Sequence, residues 1–582
     1  MIKVDNIIFE ILGLELNEKV VEISRRFRLP LSLSYLLYQR GLIDEERIKK
    51  FLVPESFEFY NPFLLPNIKE GALKLIDYLK QGKNVLIYGD YDVDGITSIV
   101  VLKKGLENLG FYLDYYIPSR IEEGYGLNKE AISKLVNEKN IDLILTVDNG
   151  ISSKEEVEYA KSLGIDIIIT DHHNIDEKKL PKDTIVINPK LKESQYPYKE
   201  ISGVIVAYKL LQVIYKLLNK EMKSNYLLEY VALGTLADYV PLLDENRKIV
   251  IEGIKQLKQT EEKSLKLIKE KFFGKNSYIN RGGLEDIFIS GNQIREIIFK
   301  IVPFLNAPGR ISHASESVDL LLENNEEKLK EKFIEVKKVY NKRVSLQKKI
   351  YEKVKKELEN LNIEEEKFII LNLDYGHIGI NSSIASRLSE EYNIPVFIFS
   401  PVNDMYIGSG RSIEGFDIYN IMKKLSNSLE YFGGHSYAVG VRVKKNLFPI
   451  FKESLKNIIK DSLKNYDISI SKIKVDYDLN IDEIDDRFYK IYKRFEPFGI
   501  GNRKPLFLSR NVLVEDEPKI VGERHLKLKI RNKKYYIDCI GFNKDFLLDK
   551  IKGKSIINIV YTIGENFYLD KYRLQLELLY VF

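Results

Sequence analysis

NVLIYGDYDVDGI, residues 84–96, joins a short β-branched apolar run to three carboxylates, Asp90, Asp92 and Asp94. Runs of the same kind follow: FYLDYYIP (111–118), IDLILTVD (141–148), IDIIITD (165–171) and TIVIN (184–188), separated by amphipathic stretches such as KEAISKLVNEK (129–139). Continuous apolar strands alternating with helices predict a parallel sheet covered on both faces, a doubly wound α/β domain. Ligands of such sheets bind at the C-terminal strand ends, and the acids fall there: Asp90, Asp92 and Asp94 after the first run, Asp148 after the third, Asp171 after the fourth.

Taken alone, DxDxDG matches the first half of an EF-hand loop, but the twelfth position, which needs a bidentate Glu, is Val101, and a strand precedes the loop. The calcium-loop reading fails. Carboxylates this close cannot all stay ionised unaided, because a like pair at about 4 Å repels by about 4 kcal/mol at an effective dielectric near 20. With Asp148 and Asp238 expected nearby, divalent cations are the natural resolution of the conflict. Asp171-His172-His173 adds imidazole to the oxygen set, a mixture that suits Mn²⁺ better than an all-oxygen Mg²⁺ or Ca²⁺ shell. Structural zinc is disfavoured because the single cysteine, Cys539, cannot supply a thiolate set. No GxSxG nucleophile motif occurs. Gly553-Lys554-Ser555 ends like a P-loop, yet the glycine needed five residues earlier is Leu548, so ATP is not implied.

Residues from about 200 to 325 read as mostly helical, ending near a loop at NAPGRISHA. From 326 to 361, Leu329, Phe333, Val336, Tyr340, Gln347, Ile350, Val354, Leu358 and Leu361 recur at helical spacing and predict one long helix of roughly 50 Å, a strut between two lobes. A second α/β segment runs from FIILNL (368–373) through VFIFS (396–400) to about 465. The remainder alternates apolar and polar residues in HLKLKI, YYIDCIGF, INIVYTI and RLQLELLYVF, and predicts a small antiparallel barrel such as an OB-fold.

At 582 residues the chain holds several domains, and 44% hydrophobic with 30% charged residues is a globular balance. The net charge of +5 does not by itself demand nucleic acid. One cysteine excludes a disulfide framework and suits a reducing compartment, with the cytoplasm as the expectation. The start, with Asp5 and Glu10, lacks a basic export signal, and no apolar run approaches membrane-spanning length. Tryptophan is absent, so stacking on bases would use the 37 tyrosines and 28 phenylalanines.

GDYDVDG, TVDNG (146–150), TDHH (170–173) and GTLADYVPL (234–242) together resemble the ordered motifs of the DHH phosphoesterase superfamily. RIEEGYGL (120–127), NAPGR (306–310), HIGINSSIASRL (377–388), GSGRS (408–412), FGGHSYAVG (432–440) and PFGIGNRKPLF (497–507) are similar to its RecJ branch, the single-strand-specific exonucleases. Two departures stand out: Gly410 where the family usually has alanine, and the polar stretch Asn381-Ser382-Ser383. The resemblance implies an N-terminal segment (1–60), a DHH catalytic domain (61–325), a long connecting helix (326–365), a DHH-associated substrate-binding domain (366–465) and an OB-fold nucleic-acid-binding domain (466–582).

Carried over residue by residue, the resemblance makes Asp90, Asp92, Asp94, Asp148, His172 and Asp238 ligands of two divalent ions, Mn²⁺ or else Mg²⁺, with Asp148 as the bridge. His173 faces the phosphate and Asp171 orients the histidines. Two cations about 3.5–4 Å apart can activate water and stabilise the departing 3′ oxygen. Arg120, Arg310, Ser409 and Arg411 resemble phosphate-contacting residues; Asn306, His377 and the loop Gly433-Gly434-His435 complete the substrate-binding set. The implied activity is 5′-to-3′ hydrolysis of single-stranded DNA to 5′-mononucleotides, in repair and recombination. The partners are single-stranded DNA and a single-strand-binding protein or helicase, with no membrane and a monomeric chain. A DHH enzyme acting on short oligonucleotides or cyclic dinucleotides would not need the barrel, and a non-catalytic DHH scaffold would have lost acids that are all present. On the barrel, Tyr535, Tyr536 and Phe542 are candidate stacking platforms, with Lys527, Lys529, Arg531, Lys533 and Lys534 as a basic component.

Overall fold

The computed structural model describes residues 2–4, 7–13, 17–120, 123–124, 126–274, 277, 279, 289, 291–464, 471–568 and 571–582. Asp5, residues 121, 122 and 125 of RIEEGYGL, and the boundary expected at 465–466 lie outside the described residues.

Strands Val85–Tyr88, Asp114–Tyr116, Leu143–Val147, Asp166–Thr170 and Ile185–Ile187 form one sheet in which every neighbouring pair is parallel. Asp114–Tyr116 lies at one edge, with Val85–Tyr88, Leu143–Val147, Asp166–Thr170 and Ile185–Ile187 following in space. The winding therefore reverses between Val85–Tyr88 and Leu143–Val147, at the crevice where such sheets hold ligands. Ile87, Leu145 and Ile168 enter one core with Val100 and Leu211, whereas Leu86, Ile144 and Ile167 enter another with Ile132 and Val157. Burial on both faces is why these strands read as unbroken apolar runs.

Helix Glu326–Leu358 starts at Asn325, whose side chain accepts from the Glu327 and Lys328 amides. Leu329, Phe333 and Val336 pack into the core of the parallel-sheet lobe, while Ile350, Val354 and Leu358 pack with Ile380 and Ile384 of the next lobe. The helix is thus a strut, and it stops three residues short of the expected end, leaving Leu361 half exposed. Beyond it a five-stranded sheet runs Tyr431–His435, Ala438–Lys444, Met405–Arg411, Val396–Val402, Ile369–Asn372, with only the last pair parallel.

The C-terminal strands Phe507–Val514, Ile556–Tyr568, Lys571–Val581, Tyr536–Gly541 and His525–Arg531 form a ring closed by Leu513 opposite Arg531. The expected antiparallel barrel is corrected in one respect: Tyr536–Gly541 and Lys571–Val581 run parallel. A closed ring with an odd number of strands cannot be antiparallel throughout. The N-terminal segment does not stand alone, because strand Ile7–Ile11 pairs with Ser471–Val475, and Ile23, Leu36 and Phe51 share one core with Leu508 and Tyr561 of the barrel. Among the described residues, no helix is long and apolar enough to cross a membrane.

Candidate active site

The GDYDVDG turn begins at the end of Val85–Tyr88, and Asp92 caps helix Val93–Glu107 by accepting from the Asp94 and Gly95 amides at 2.9 and 3.2 Å. Gly95 is required there, since a Cβ would stand 2.6 Å from the Asp90 backbone. Asn306 holds the same turn from outside, its Oδ1 accepting from Val93 N at 3.0 Å. Asp94 lies at the start of helix Gly203–Leu217, where both of its oxygens accept backbone N–H groups, from Gly203 at 2.7 Å and Val204 at 2.9 Å. Asp148 follows Leu143–Val147 with φ +62°, a left-handed conformation that costs little for Asp and is uncommon otherwise. Asp238 ends helix Leu228–Ala237.

Three ligand groups result, the atoms of each lying within 4.8 Å of one another: Asp90, Asp92 and Asp148; Asp94, His172 and Asp238; and Asp148, Asp171, His172 and His173. His172 Nε2 lies 3.2 Å from Asp148, 3.5 Å from Asp238 and 3.9 Å from Asp94. Burial, reinforced by the neighbouring carboxylates, pushes Asp90, Asp148 and Asp238 well above the usual carboxylate range and Asp94 up to about 7. Burial also lowers His172 to about 3, leaving its imidazole neutral and ready to ligate. Asp90 Oδ1, Asp238 Oδ2 and His172 Nε2 are buried and make no hydrogen bond among the described residues. Mutually repelling oxygens and an unused imidazole nitrogen fit a pair of divalent cations.

Asp171 is different. Its Oδ2 accepts from Ile151 N at 2.9 Å, and its Oδ1 accepts from the His172 and His173 amides and contacts His173 Nδ1 at 2.8 Å. Although burial opposes ionisation, His173 and these donors hold Asp171 well below its ordinary range. Burial alone would lower half-exposed His173, but the charge and hydrogen bond of Asp171, with Asp238 and Asp90, raise it to about 9. The DHH tripeptide thus divides into an anchored carboxylate, a neutral imidazole and a cation.

Next to the acids, Tyr91, Asp92, Arg120, Asn306, Arg310, Ser382, Ser409 and Arg411 line a cleft of about 340 Å³ between the two lobes. Arg120 lies over the Tyr91 ring at 5.0 Å. Arg310 Nη1 donates to Ser382 Oγ at 3.3 Å, and Arg411 donates to Ser386 Oγ at 3.0 Å and Ser409 Oγ at 3.1 Å. Burial and repulsion from Arg120 and Arg343 lower Arg310 to about 10; burial and Arg120 also lower Arg411. Cations that repel one another in a shared cleft are arranged to receive an anion with several oxygens. The two departures find their reasons here. A Cβ on Gly410 would meet the Phe397 ring at 2.6 Å, and Ser382 orients Arg310 while buried Asn381 accepts from Ser400 Oγ at 3.1 Å.

Two expected loops are corrected, and other expected residues take additional local roles. NAPGR is helical from Ala307, and Asn306, while lining the cleft, uses its side chain to cap the acidic turn. His377 caps helix Ile378–Tyr392, its Nδ1 accepting from Gly379 N at 3.1 Å. Gly433-Gly434-His435 is an edge strand rather than a loop, because Gly433 and Gly434 pair with Gly440 and Val439. Gly433 lines the adjoining part of the cleft with Tyr431 and Arg442, whereas His435 is exposed. On the barrel, Tyr535 is structural, donating to the Ile484 carbonyl at 2.6 Å; Tyr536 and Phe542 are each 56% exposed. The basic component is largely neutralised: Lys529 pairs with Asp516, Arg531 with Glu515, Lys533 with Asp482 and Lys534 with Asp485. Residues missed by the sequence reading are Tyr91, Ser382, Ser386 and Arg442. The first three sit inside quoted motifs and were legible as polar insertions; Arg442 was visible only as an outward position of an alternating strand.

Family models match the chain in the order of its lobes: the DHH family, N-terminal domain over residues 84–235, the DHHA1 domain over 365–462 and the RecJ OB domain over 475–580. The single-stranded-DNA-specific exonuclease RecJ of Bacillus subtilis is 32% identical over 568 residues, covering 96% of this chain and 69% of that protein. The chain belongs to the RecJ family. The RecJ exonuclease of Escherichia coli is 28% identical, covering 88% of this chain and 89% of its own length. Thermus thermophilus RecJ, solved in complex with Mn²⁺, shares the fold with TM-score 0.80 at 24% identity, over 99% of this chain and 80% of that one. A RecJ exonuclease solved bound to manganese gives TM-score 0.58 at 29% identity, over 69% of this chain and 98% of its own.

Proposed function

We propose that this chain is a metal-dependent exonuclease that hydrolyses single-stranded DNA from the 5′ end and releases 5′-mononucleotides in DNA repair and recombination. The observation behind this reading is that three overlapping groups of acids and histidines, joined through Asp148 and His172, sit beside an arginine cleft that Asp92 also lines. Asp90, Asp92 and Asp148 would hold one divalent ion, and Asp94, His172 and Asp238 would hold the other, with Asp148 Oδ1 adjoining the second group at 3.2 Å from His172 Nε2. When bound, two such ions, Mn²⁺ in preference to Mg²⁺, activate water and offset charge on the departing oxygen. Around them the chain's own groups do three things. Asp171 fixes His173 through Nδ1, so that the other ring nitrogen carries a proton toward the scissile phosphate. Arg310 and Arg411, aimed by Ser382, Ser386 and Ser409, take the phosphate at the strand's end through charge-assisted bonds. Arg120, stacked on Tyr91, holds the intervening backbone.

The relatives are single-stranded-DNA-specific, so duplex must be opened first. A single-strand-binding protein or helicase would present the substrate to a monomeric enzyme in the cytoplasm. The requirement for an end is tested by comparing linear and covalently circular single strands of the same sequence. Degradation of the linear form with the circle left intact is the expected result; nicking of the circle would refute exonucleolytic action.

A further inference from the structure

The metal ligand Asp238 begins a loop that ends between two cores: Leu242 is buried in the catalytic core, and Leu243 packs against the core shared by the N-terminal segment and the barrel. At that junction Leu242 N donates to the carbonyl of Ile500 at 2.7 Å, across to the C-terminal domain. Ile500 stands in a tight turn in which Gly499 and Asn502 exchange backbone hydrogen bonds at 2.9 and 3.1 Å. Gly501 has φ +72°, and a Cβ there would meet Pro241 at 2.9 Å; a Cβ on Gly499 would meet Leu242 Cδ1 at 2.6 Å. Both glycines permit a close approach that no side chain would allow.

The turn is held rigidly. Buried Asn502 donates to the carbonyls of Phe495 and Pro497 at 2.7 and 2.9 Å and accepts from Arg40 at 2.7 Å. Fully buried Arg247, from the helix that follows the Asp238 loop, donates to carbonyls of Arg494, Phe495, Glu496 and Pro497. Asn246 beside it donates to Pro241 O at 3.0 Å and to Glu200 O at 2.6 Å. Glu200 lies three residues before Gly203, whose amide holds Asp94. The contacts therefore converge on Asp238 and Asp94, two of the three members of one ligand group, and reach Asp148 of the other group only where Gly203 packs against it.

We infer that the 499–502 turn of the C-terminal domain, with Asn246, is a positioning device for the Asp94–His172–Asp238 metal site. The inference rests on the two-ion reading above. In consequence the barrel domain sets the affinity of one of the two ions, and a disturbance of its docking empties that site first.

The test is Mn²⁺ binding to the full-length chain, read from the loss of the free-ion paramagnetic resonance signal and from calorimetry. Gly499→Val and Asn246→Ala are compared with wild type and with Arg510→Ala, whose half-exposed side chain pairs with Asp478 and not with the turn. Circular dichroism establishes that each variant is folded, and either variant suffices. Outer-shell partners of metal ligands typically set affinity by about tenfold to a hundredfold. The expected result is two ions bound to wild type and to Arg510→Ala. In Gly499→Val or Asn246→Ala, one site should be weakened by that factor and the other unchanged. Two unchanged sites in a folded variant, or two sites weakened equally, would overturn the inference. A wild type that binds fewer than two ions would instead refute the two-ion reading on which it rests.

Discussion

His172 Nε2 lies 3.2 Å from Asp148 Oδ1, and this contact joins the two halves of the acidic cluster, since Asp148 shares one group with Asp90 and Asp92 while His172 shares another with Asp94 and Asp238. Neither residue competes for a proton in the ordinary way: burial keeps the imidazole neutral and raises the carboxyl. The pair is arranged to meet cations rather than to bond with itself.

Asp148→Asn separates charge from backbone geometry. Asparagine tolerates the left-handed conformation at φ +62° as aspartate does, so circular dichroism should be unchanged. The shared negative ligand is lost, and hydrolysis of single strands should fall by at least about a hundredfold. Turnover within a few-fold of wild type would count against Asp148 as the bridging ligand.

The crowded carboxylates also make the metal-free chain pH-sensitive. Asp90, Asp94, Asp148 and Asp238 have folded-state values above those of the unfolded chain, so across that interval the native state binds more protons and stability falls as pH rises. For Asp94 the interval runs from the ordinary carboxylate range to about pH 7. Calorimetry in chelator should therefore show these groups working against the fold at pH 8 more than at pH 5. Added Mn²⁺ should raise Tm more at pH 8 than at pH 5. An Mn²⁺ effect larger at pH 5 would contradict the assignment of these acids as ligands.

Arg411→Ala removes a guanidinium aimed by Ser386 and Ser409. With charge-assisted bonds worth roughly 1.5–3 kcal/mol, kcat/KM on 5′-phosphorylated strands should drop about tenfold to a hundredfold. Strands with a 5′-hydroxyl should lose much less, and an equal loss would place Arg411 on an internal phosphate.

On the barrel, Lys529 and Lys533 are already paired with acids, so Lys529→Ala combined with Lys533→Ala should change the salt dependence of strand binding by less than two released counterions. Exposed Tyr536 and Phe542 should each contribute about 1–3 kcal/mol if they stack on bases, and Tyr535→Ala should affect folding stability instead. Filter-binding titrations over a range of salt separate these outcomes.

What the sequence disclosed followed the range of the interactions. The strands ending at Asp90, Asp148 and Asp171 were legible because burial on both faces leaves an unbroken apolar signature, and the strut because its apolar stripe persists through two cores. The pairing of Ile7–Ile11 with Ser471–Val475 was not legible, since nothing local to either strand names a partner so distant along the chain. NAPGR looked like a loop from its proline and glycine, yet proline at the start of a helix is compatible with helical geometry. Gly433 and Gly434 read as a turn because glycine usually marks one, whereas here they serve an edge strand facing the cleft. The hairpin lysines were visible in sequence, but the acids that neutralise them lie on other segments.

The most direct measurement uses one single strand, labelled in separate preparations at its 5′ and its 3′ end, with Mn²⁺ and the products resolved over time. The account predicts that the 5′ label appears at once as a mononucleotide, while the 3′ label stays on progressively shorter strands until late. Release of the 3′ label first, or internal fragments from both preparations, would contradict it.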